Sequence, residues 1–183
     1  MSGTDREVIL ILGGARSGKS AFAQRLASER GERVLFVATG RATDEEMQQR
    51  IELHQKGRPR TWRTVEAPLG VAGVMREHAE KVDAVLLDCA SFMVANLMED
   101  AGDGCDMGDL EQQIVDELAQ VMQACPASLI IVSNEVGMGL VPAYPSGRAF
   151  RDLLGRANQF IAEHATEVYF MVAGIPQLLK GGR

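Results

Sequence analysis

The sequence predicts an α/β fold, with a mostly parallel sheet and helices on both faces of that sheet. Short apolar runs typical of buried strands recur along the chain, segments with apolar residues at helical spacing separate them, and glycine or polar clusters lie at the junctions. Strands and helices that alternate in this way form parallel sheets, which bind ligands at the carboxyl ends of their strands. The residues just after each apolar run are therefore the first candidates for function.

The N-terminal half contains four predicted strands and four predicted helices. The strands cover residues 8–12, 34–38, 62–66 and 84–87, and the last of them ends in Asp88. The helices cover residues 19–30, 44–56, 71–80 and 90–98. The C-terminal half begins with an acidic, glycine-containing loop over residues 99–108.

The remaining elements of the C-terminal half follow in the same alternation. They are a helix over 110–124, a strand over 129–132, a loop rich in glycine and proline over 136–147, a helix over 148–165 and a last strand over 167–172. No repeat interrupts the order, so we predict one domain that spans residues 1–183.

Composition argues against several classes of function. A net charge of −6 is unusual for a nucleic-acid-binding protein, which generally carries a basic face. The apolar runs are too short to span a bilayer, and the polar N-terminus lacks a signal-peptide core. Cys89, Cys105 and Cys125 fit free thiols in a reducing compartment, and no Cys/His cluster has zinc-site spacing. We therefore expect a cytoplasmic protein without a membrane span.

One glycine-rich motif carries the first functional prediction. The chain reads Gly13-Gly14-Ala15-Arg16-Ser17-Gly18-Lys19-Ser20, which matches G-x-x-x-x-G-K-[ST] at every position. Backbone amides and the following helix N-terminus bind phosphates in such a P-loop, Lys reaches the β- and γ-phosphates, and the Ser hydroxyl binds Mg²⁺. Chance alone would give such a match in roughly one chain of this length in a hundred. Because the motif also follows a predicted strand and opens a predicted helix, we predict a P-loop NTPase-type fold, with Lys19 as a surface cation.

Asp88 is a candidate Mg²⁺ ligand. It closes the apolar run 84–87, where P-loop proteins place the Walker-B aspartate that holds the Mg²⁺ shell. An ordinary solvated acid at a strand end is the alternative. We expect Asp88, together with Ser20, to hold the metal.

His54 stands in an unusual setting among the three histidines. Lys56, Arg58, Arg60 and Arg63 surround the turn that follows it, in a chain that is otherwise acidic. Such cations suit a second phosphate contact and favour a neutral, nucleophilic imidazole. The pattern alone nevertheless favours a surface histidine. The other two, His78 and His164, are expected at ordinary solvated helix positions away from the cationic turn.

The motifs together resemble the bifunctional adenosylcobinamide kinase / adenosylcobinamide-phosphate guanylyltransferase family of cobalamin biosynthesis. The resemblance extends from about residue 8 to the C-terminus, and the stretches near residues 134–139 and 155–159 are more specific than the P-loop. Besides the P-loop, the residues that carry it are Arg50-Ile51, His54, Arg58-Pro59, Trp62-Arg63-Thr64-Val65-Glu66, Asn96-Leu97, Ser133-Asn134-Glu135-Val136-Gly137-Met138-Gly139, Val141-Pro142, Phe150-Arg151-Asp152 and Gly155-Arg156-Ala157-Asn158-Gln159.

This resemblance implies two reactions. ATP or GTP phosphorylates the aminopropanol hydroxyl of adenosylcobinamide, and GMP from GTP is then transferred to the new phosphate through a GMP-histidine, which falls on His54. Some family members carry two adjacent histidines here, whereas this chain has Leu53 before His54, so any helping role of the missing histidine is open. The resemblance also implies a homotrimer. It assigns guanine-nucleotide contacts to Ala38, Thr39, Gly40, Gln55, Lys56, Gly57, Arg58, Glu66 and Asp88.

The sequence is also compatible with two alternative functions, and it leaves the role of one loop open. The chain could be a P-loop small-molecule kinase without guanylyl transfer, or a nucleotide-binding regulatory ATPase or GTPase. The loop over residues 136–147 could close over a bulky corrinoid or form a subunit contact.

Overall fold

A computed structural model describes residues 6–41, 59, 61–102 and 104–182 of the chain. The helix predicted over residues 44–56 lies outside the described residues. The same is true of the candidate site residues His54, Gln55, Lys56, Gly57 and Arg58.

Seven strands and five helices make up the described part of the chain. The strands are β1 (Val8–Gly13), β2 (Val34–Ala38), β3 (Arg63–Glu66), β4 (Ala84–Asp88), β5 (Ser128–Val132), β6 (Glu167–Val172) and β7 (Ile175–Lys180). The helices are α1 (Lys19–Arg30), α2 (Val71–His78), α3 (Ala90–Ala101), α4 (Met107–Ala124) and α5 (Pro145–His164).

The strands form one sheet in the order β3-β2-β4-β5-β1-β6-β7. Every neighbouring pair is parallel except β6 and β7. The predicted mostly parallel sheet is therefore confirmed. Because parallel strands all end at the same edge, the residues after β1, β2, β3, β4 and β5 meet at one carboxyl edge of the sheet.

Two apolar cores cover the two faces of the sheet, because alternate strand residues point to opposite sides. Leu10, Leu87 and Ile131 face the core that also includes buried residues of α2, α3, α4 and α5. Ile9 and its neighbours on the other face pack with Phe22 and further residues of α1. The prediction of helices on both faces is thereby confirmed.

Three helix boundaries lie three residues from their predicted positions. The acidic loop expected over residues 99–108 is shorter, because α3 continues through Ala101 and α4 begins at Met107. Asp106 caps α4 by accepting hydrogen bonds from the amides of Gly108 and Asp109, a signal in the sequence that marks the earlier start. The last helix begins at Pro145 rather than at residue 148, since proline suits the first helical position.

The prediction that the strand over 167–172 is the last one is wrong. A two-residue turn follows it, and β7 runs back antiparallel with Val172 opposite Ile175. Ala173 and Gly174 have φ angles of 50° and 82°, the left-handed conformation that a tight hairpin turn of this kind requires at both positions. Pro176 weakens the strand signal in the sequence, but an edge strand tolerates proline.

The helices of the described residues include none that is both long enough and apolar enough to cross a membrane.

Candidate functional site

The P-loop joins β1 to α1 at the carboxyl edge of the sheet. Gly18 precedes α1 with a φ of 97°, and no side chain caps the helix. The first turn of α1 also contains no acidic residue. The amides of this turn and the positive end of the helix dipole are therefore available to an anion, as phosphate binding requires.

The hairpin between β6 and β7 supports the P-loop through close backbone contacts. A Cβ atom at Gly13 would lie 2.7 Å from the carbonyl oxygen of Met171, and one at Gly18 would lie 3.0 Å from the Cα of Gly174. The Gly174 amide also donates a hydrogen bond of 2.9 Å to the carbonyl oxygen of Ser17. Gly13 and Gly18 are therefore needed for packing against this hairpin as well as for access to phosphate.

Lys19 is not the surface cation that the sequence analysis expects. Its side chain folds over the loop and donates a 2.6 Å hydrogen bond from Nζ to the carbonyl oxygen of Gly14, and the residue is only 8% exposed. Burial lowers the pKa of the ammonium group, while negative charge on the nearby Cys89 and Asp88 acts in the opposite direction. Burial also raises the pKa of the Cys89 thiol to about 11, so Asp88 is the neighbour that supplies negative charge to Lys19 at neutral pH.

The Ser17 hydroxyl is an unusual feature of the loop. Its oxygen is buried and has no hydrogen-bond partner among the described residues. A buried hydroxyl normally has a partner, because leaving it unsatisfied costs about 1–3 kcal/mol. The P-loop thus has an unused polar group as well as an uncapped helix, which fits a ligand rich in oxygen atoms.

Three candidate residues line up on neighbouring strands at the same edge. Ala38 at the end of β2 pairs with Glu66 of β3 on one side and with Asp88 of β4 on the other. In the sheet order, Asp88 is two strands from Gly13 and Glu66 is four strands away, so these separations are ~10 Å and ~19 Å. The P-loop and Glu66 therefore lie far apart on this edge, with Asp88 between them.

Thr39, the residue after β2, connects β2 to the end of β4 through hydrogen bonds. Its hydroxyl donates a 2.7 Å hydrogen bond to the carbonyl oxygen of Cys89 and accepts one of 2.9 Å from the Cys89 amide. The Thr39 amide donates to the Asp88 carbonyl oxygen, and Asn96 donates to the Thr39 carbonyl oxygen. Because its own polar groups are engaged, Thr39 helps to shape the site around Asp88.

A buried polar network continues from Thr39 toward β5. The Ser91 hydroxyl accepts a hydrogen bond from the Asn134 amide, and the Ser133 hydroxyl donates one of 2.6 Å to Asn158 Oδ1. Asn158 in turn donates to the Asn134 carbonyl oxygen. Ser91 was not among the candidate site residues predicted from the sequence, although its place shortly after the strand-end Asp88 puts it near the carboxyl edge of the sheet.

A metal site at this edge would rest on few protein ligands. Among the described residues, no group of three or more His, Cys, Asp or Glu side chains could hold a metal ion. Mg²⁺ bound with a nucleotide needs only one or two carboxylates, because phosphates and water complete its shell. Ser20 at the start of α1 and Asp88 near Lys19 offer the hard oxygen donors that suit this ion.

The two described histidines differ in their surroundings. His164 Nδ1 lies 2.9 Å from the carbonyl oxygen of Phe160, within α5. His78 Nδ1 lies 2.7 Å from a guanidinium nitrogen of Arg63. The expectation that His78 lies away from the cationic residues is therefore wrong for Arg63, because α2 ends beside β3.

Comparison with known proteins identifies close relatives. A profile of the family described as cobinamide kinase / cobinamide phosphate guanyltransferase matches residues 9–179. The bifunctional adenosylcobalamin biosynthesis protein CobU of Escherichia coli is 42% identical over 94% of this chain and 99% of its own. The bifunctional adenosylcobalamin biosynthesis protein CobP of Pseudomonas aeruginosa is also 42% identical, over 94% of this chain and 96% of its own.

The solved structures that resemble this chain include the P4 protein from bacteriophage phi6 in complex with ADP. It is 13% identical, with a TM-score of 0.49 over 93% of this chain and 54% of its own.

The hairpin contact predicts unequal effects of one substitution at neighbouring glycines. In Gly13→Ala the new methyl group would collide with the Met171 backbone, whereas in Gly14→Ala it would meet nothing within 4 Å. We expect Gly13→Ala to lower the free energy of unfolding by about 2 kcal/mol and Gly14→Ala to change it by less than about 0.5 kcal/mol. Urea denaturation without nucleotide measures both. Equal stability of the two variants would contradict the supporting role of the hairpin.

Proposed function

Because the chain belongs to the cobinamide kinase / cobinamide phosphate guanyltransferase family, we propose that it catalyses two consecutive reactions on one corrinoid. The first transfers the γ-phosphoryl group of ATP or GTP to the aminopropanol hydroxyl of adenosylcobinamide. The second transfers GMP from GTP to the new phosphate, which releases pyrophosphate and yields adenosylcobinamide-GDP. The observation that carries the proposal is the P-loop, with its uncapped helix and with Lys19 folded over its glycines.

The kinase step needs positioning and charge neutralisation more than covalent chemistry. The hydroxyl oxygen of the acceptor attacks the γ-phosphorus, the bond to the β–γ bridging oxygen breaks, and the nucleoside diphosphate leaves. The amides of residues 13–20 hold the phosphates, and Lys19 neutralises the charge that develops between the β- and γ-phosphates. For this step Lys19 Nζ exchanges the Gly14 carbonyl oxygen for a phosphate oxygen.

Mg²⁺ is the cofactor that suits this site. Ser20 and Asp88 would hold it, and the ion supplies further charge neutralisation to the bound phosphates. Asp88 also lies close enough to Lys19 for its negative charge to favour the charged ammonium group.

The guanylyl step uses a nucleophile on the protein. His54 attacks the α-phosphorus of GTP, pyrophosphate leaves, and a phosphoramidate holds GMP on the imidazole. A phosphate oxygen of the phosphorylated corrinoid then attacks the same phosphorus and frees the histidine. Gln55, Lys56, Gly57 and Arg58 follow in the chain and contribute nucleotide contacts. The nucleotide site also includes Ala38, Thr39, Gly40 and Glu66.

The length of the carboxyl edge supports a second reaction there. Glu66 is separated from Gly13 by four strand spacings, ~19 Å, so the end of the edge near β3 leaves room for guanine contacts beyond the P-loop.

We also propose that the protein acts in the cytoplasm as a single-domain subunit of a homotrimer, without a nucleic-acid partner.

The proposal is tested by its products. Purified protein, Mg²⁺, adenosylcobinamide, ATP and GTP should yield adenosylcobinamide-GDP, identified by mass spectrometry. Phosphorylated corrinoid without the GDP product would favour a simple kinase. Nucleotide hydrolysis that the corrinoid does not affect would favour a regulatory ATPase or GTPase.

Removal of the Lys19 charge should abolish efficient phosphoryl transfer. Because Lys19 is buried, Lys19→Met is preferable to Lys19→Ala, since it keeps an apolar side chain of similar length in the same place. We expect kcat of the kinase step to fall at least about a hundredfold. Circular dichroism and thermal unfolding check that the fold is retained. Turnover close to that of the wild type would remove Lys19 from the mechanism.

Asp88→Asn should raise the Mg²⁺ concentration needed for half-maximal kinase activity, because a carboxylate ligand of the ion is lost. We expect a shift of about tenfold or more. Asp83→Asn is the matched control, since Asp83 precedes the same strand but is paired with Arg33. The control should titrate like the wild type. If the two variants gave the same Mg²⁺ titration, Asp88 would be an ordinary strand-end acid.

His54→Ala should separate the two activities. The γ-phosphoryl group passes directly between substrates, so a measurable share of kinase activity should remain, whereas α-labelled GTP should no longer label the protein. The wild-type adduct should be labile in acid and stable in base, as expected of a phosphoramidate. His164→Ala is the control and should keep both activities. An acid-labile GMP adduct on His54→Ala would refute the assignment.

A further inference from the structure

Four exposed apolar side chains lie in the loop between β5 and α5. Met138 is 80% exposed, Leu140 96%, Val141 62% and Tyr144 63%. We refer to residues 138–144 as the apolar loop. Single exposed apolar residues are common, but several in one short segment form a patch that calls for a partner.

The apolar loop is held at its start by the polar network of the site. The Glu135 amide donates a 3.0 Å hydrogen bond to the carbonyl oxygen of Gly13, and the Glu135 carboxylate accepts one from the Gly137 amide. Arg151 of α5 donates to the Gly137 carbonyl oxygen. The loop therefore leaves the sheet directly beside the first P-loop glycine.

The other end of the apolar loop is fixed to the first turn of α5. Arg148 donates hydrogen bonds of 3.1 and 2.8 Å to the carbonyl oxygens of Pro142 and Ala143. A Cβ atom at Gly147 would lie 2.6 Å from the Tyr144 ring and 2.8 Å from Pro142, so only glycine lets the loop lie this close to the helix. An ordered loop with exposed apolar side chains can bind a ligand with little loss of conformational entropy.

An open cavity of about 790 Å³ lies beside the apolar loop. Gly137 lines it together with Glu111, Arg151, Arg156 and Gln159. Gly137 directly precedes the apolar loop and closely follows Glu135, whose amide donates to the Gly13 carbonyl oxygen. The cavity and the loop therefore meet at a segment that is held against the P-loop.

We propose that the apolar loop binds the corrin macrocycle of the acceptor while the P-loop holds the nucleotide. The faces of a corrin ring are apolar and its rim carries amide side chains, which matches an apolar surface beside side chains that donate and accept hydrogen bonds. The macrocycle bound there presents its aminopropanol arm toward Gly13 and the phosphates. This inference rests on the proposed function, because it assigns a position to the acceptor of that reaction.

The test compares Leu140→Ser with Leu179→Ser. Leu140 lies at the tip of the apolar loop, whereas Leu179 is a 59% exposed residue near the far end of β7. We expect Leu140→Ser to raise the KM for adenosylcobinamide about tenfold, with kcat and the KM for ATP changed less than about twofold. Leu179→Ser should leave all three unchanged. With 1-amino-2-propanol as acceptor, which lacks the macrocycle, both variants should match the wild type.

Other outcomes would overturn the inference. An unchanged KM for adenosylcobinamide in Leu140→Ser would do so, as would an equal loss with both acceptors. A change of oligomeric mass in light scattering, with corrinoid binding unaffected, would make the loop a subunit contact instead. If the wild type transfers no phosphate, the proposed function fails. Equilibrium dialysis of the coloured corrinoid then decides the inference, because only Leu140→Ser should bind it more weakly.

Discussion

The close contact between the P-loop and the β6–β7 hairpin constrains the rest of the site. Gly13 and Gly18 leave no room for a side chain against Met171 and Gly174, and a backbone hydrogen bond joins Ser17 to the same turn. The hairpin thereby fixes where α1 begins, and with it the amides and the position of Lys19. Phosphate binding in this protein consequently depends on a turn about 155 residues further along the chain.

A second constraint ties the strand ends together across the sheet. The Thr39 hydroxyl joins β2 to the residue after β4, Asn96 holds the Thr39 carbonyl oxygen, and Ser133 and Asn158 join β5 to α5. These groups are buried, so each unmade hydrogen bond would be costly. The network holds the residues around Asp88 in place. It also anchors the start of the loop to which we assign corrinoid binding.

Local sequence signals predicted most of the fold and little of the side-chain geometry. The apolar runs and helical spacing located β1, α1, β2 and β4, because buried parallel strands are continuously apolar. β7 was missed because Pro176 and a turn without Asn or Asp weaken its signal. The P-loop was evident from its motif, but the burial of Lys19 depends on how the side chain folds back over Gly14. The support from Gly174 is a contact between distant segments, which no local pattern encodes.

The most direct test of this account is a crystal structure of the protein with Mg²⁺ and a non-hydrolysable ATP analogue. We expect the β- and γ-phosphates to lie within hydrogen-bonding distance of amides of residues 13–20. We also expect Lys19 Nζ to leave the Gly14 carbonyl oxygen for a phosphate oxygen, while Gly13 and Gly18 stay against the hairpin. A triphosphate bound elsewhere, or a P-loop that separates from Met171 and Gly174 on binding, would contradict it.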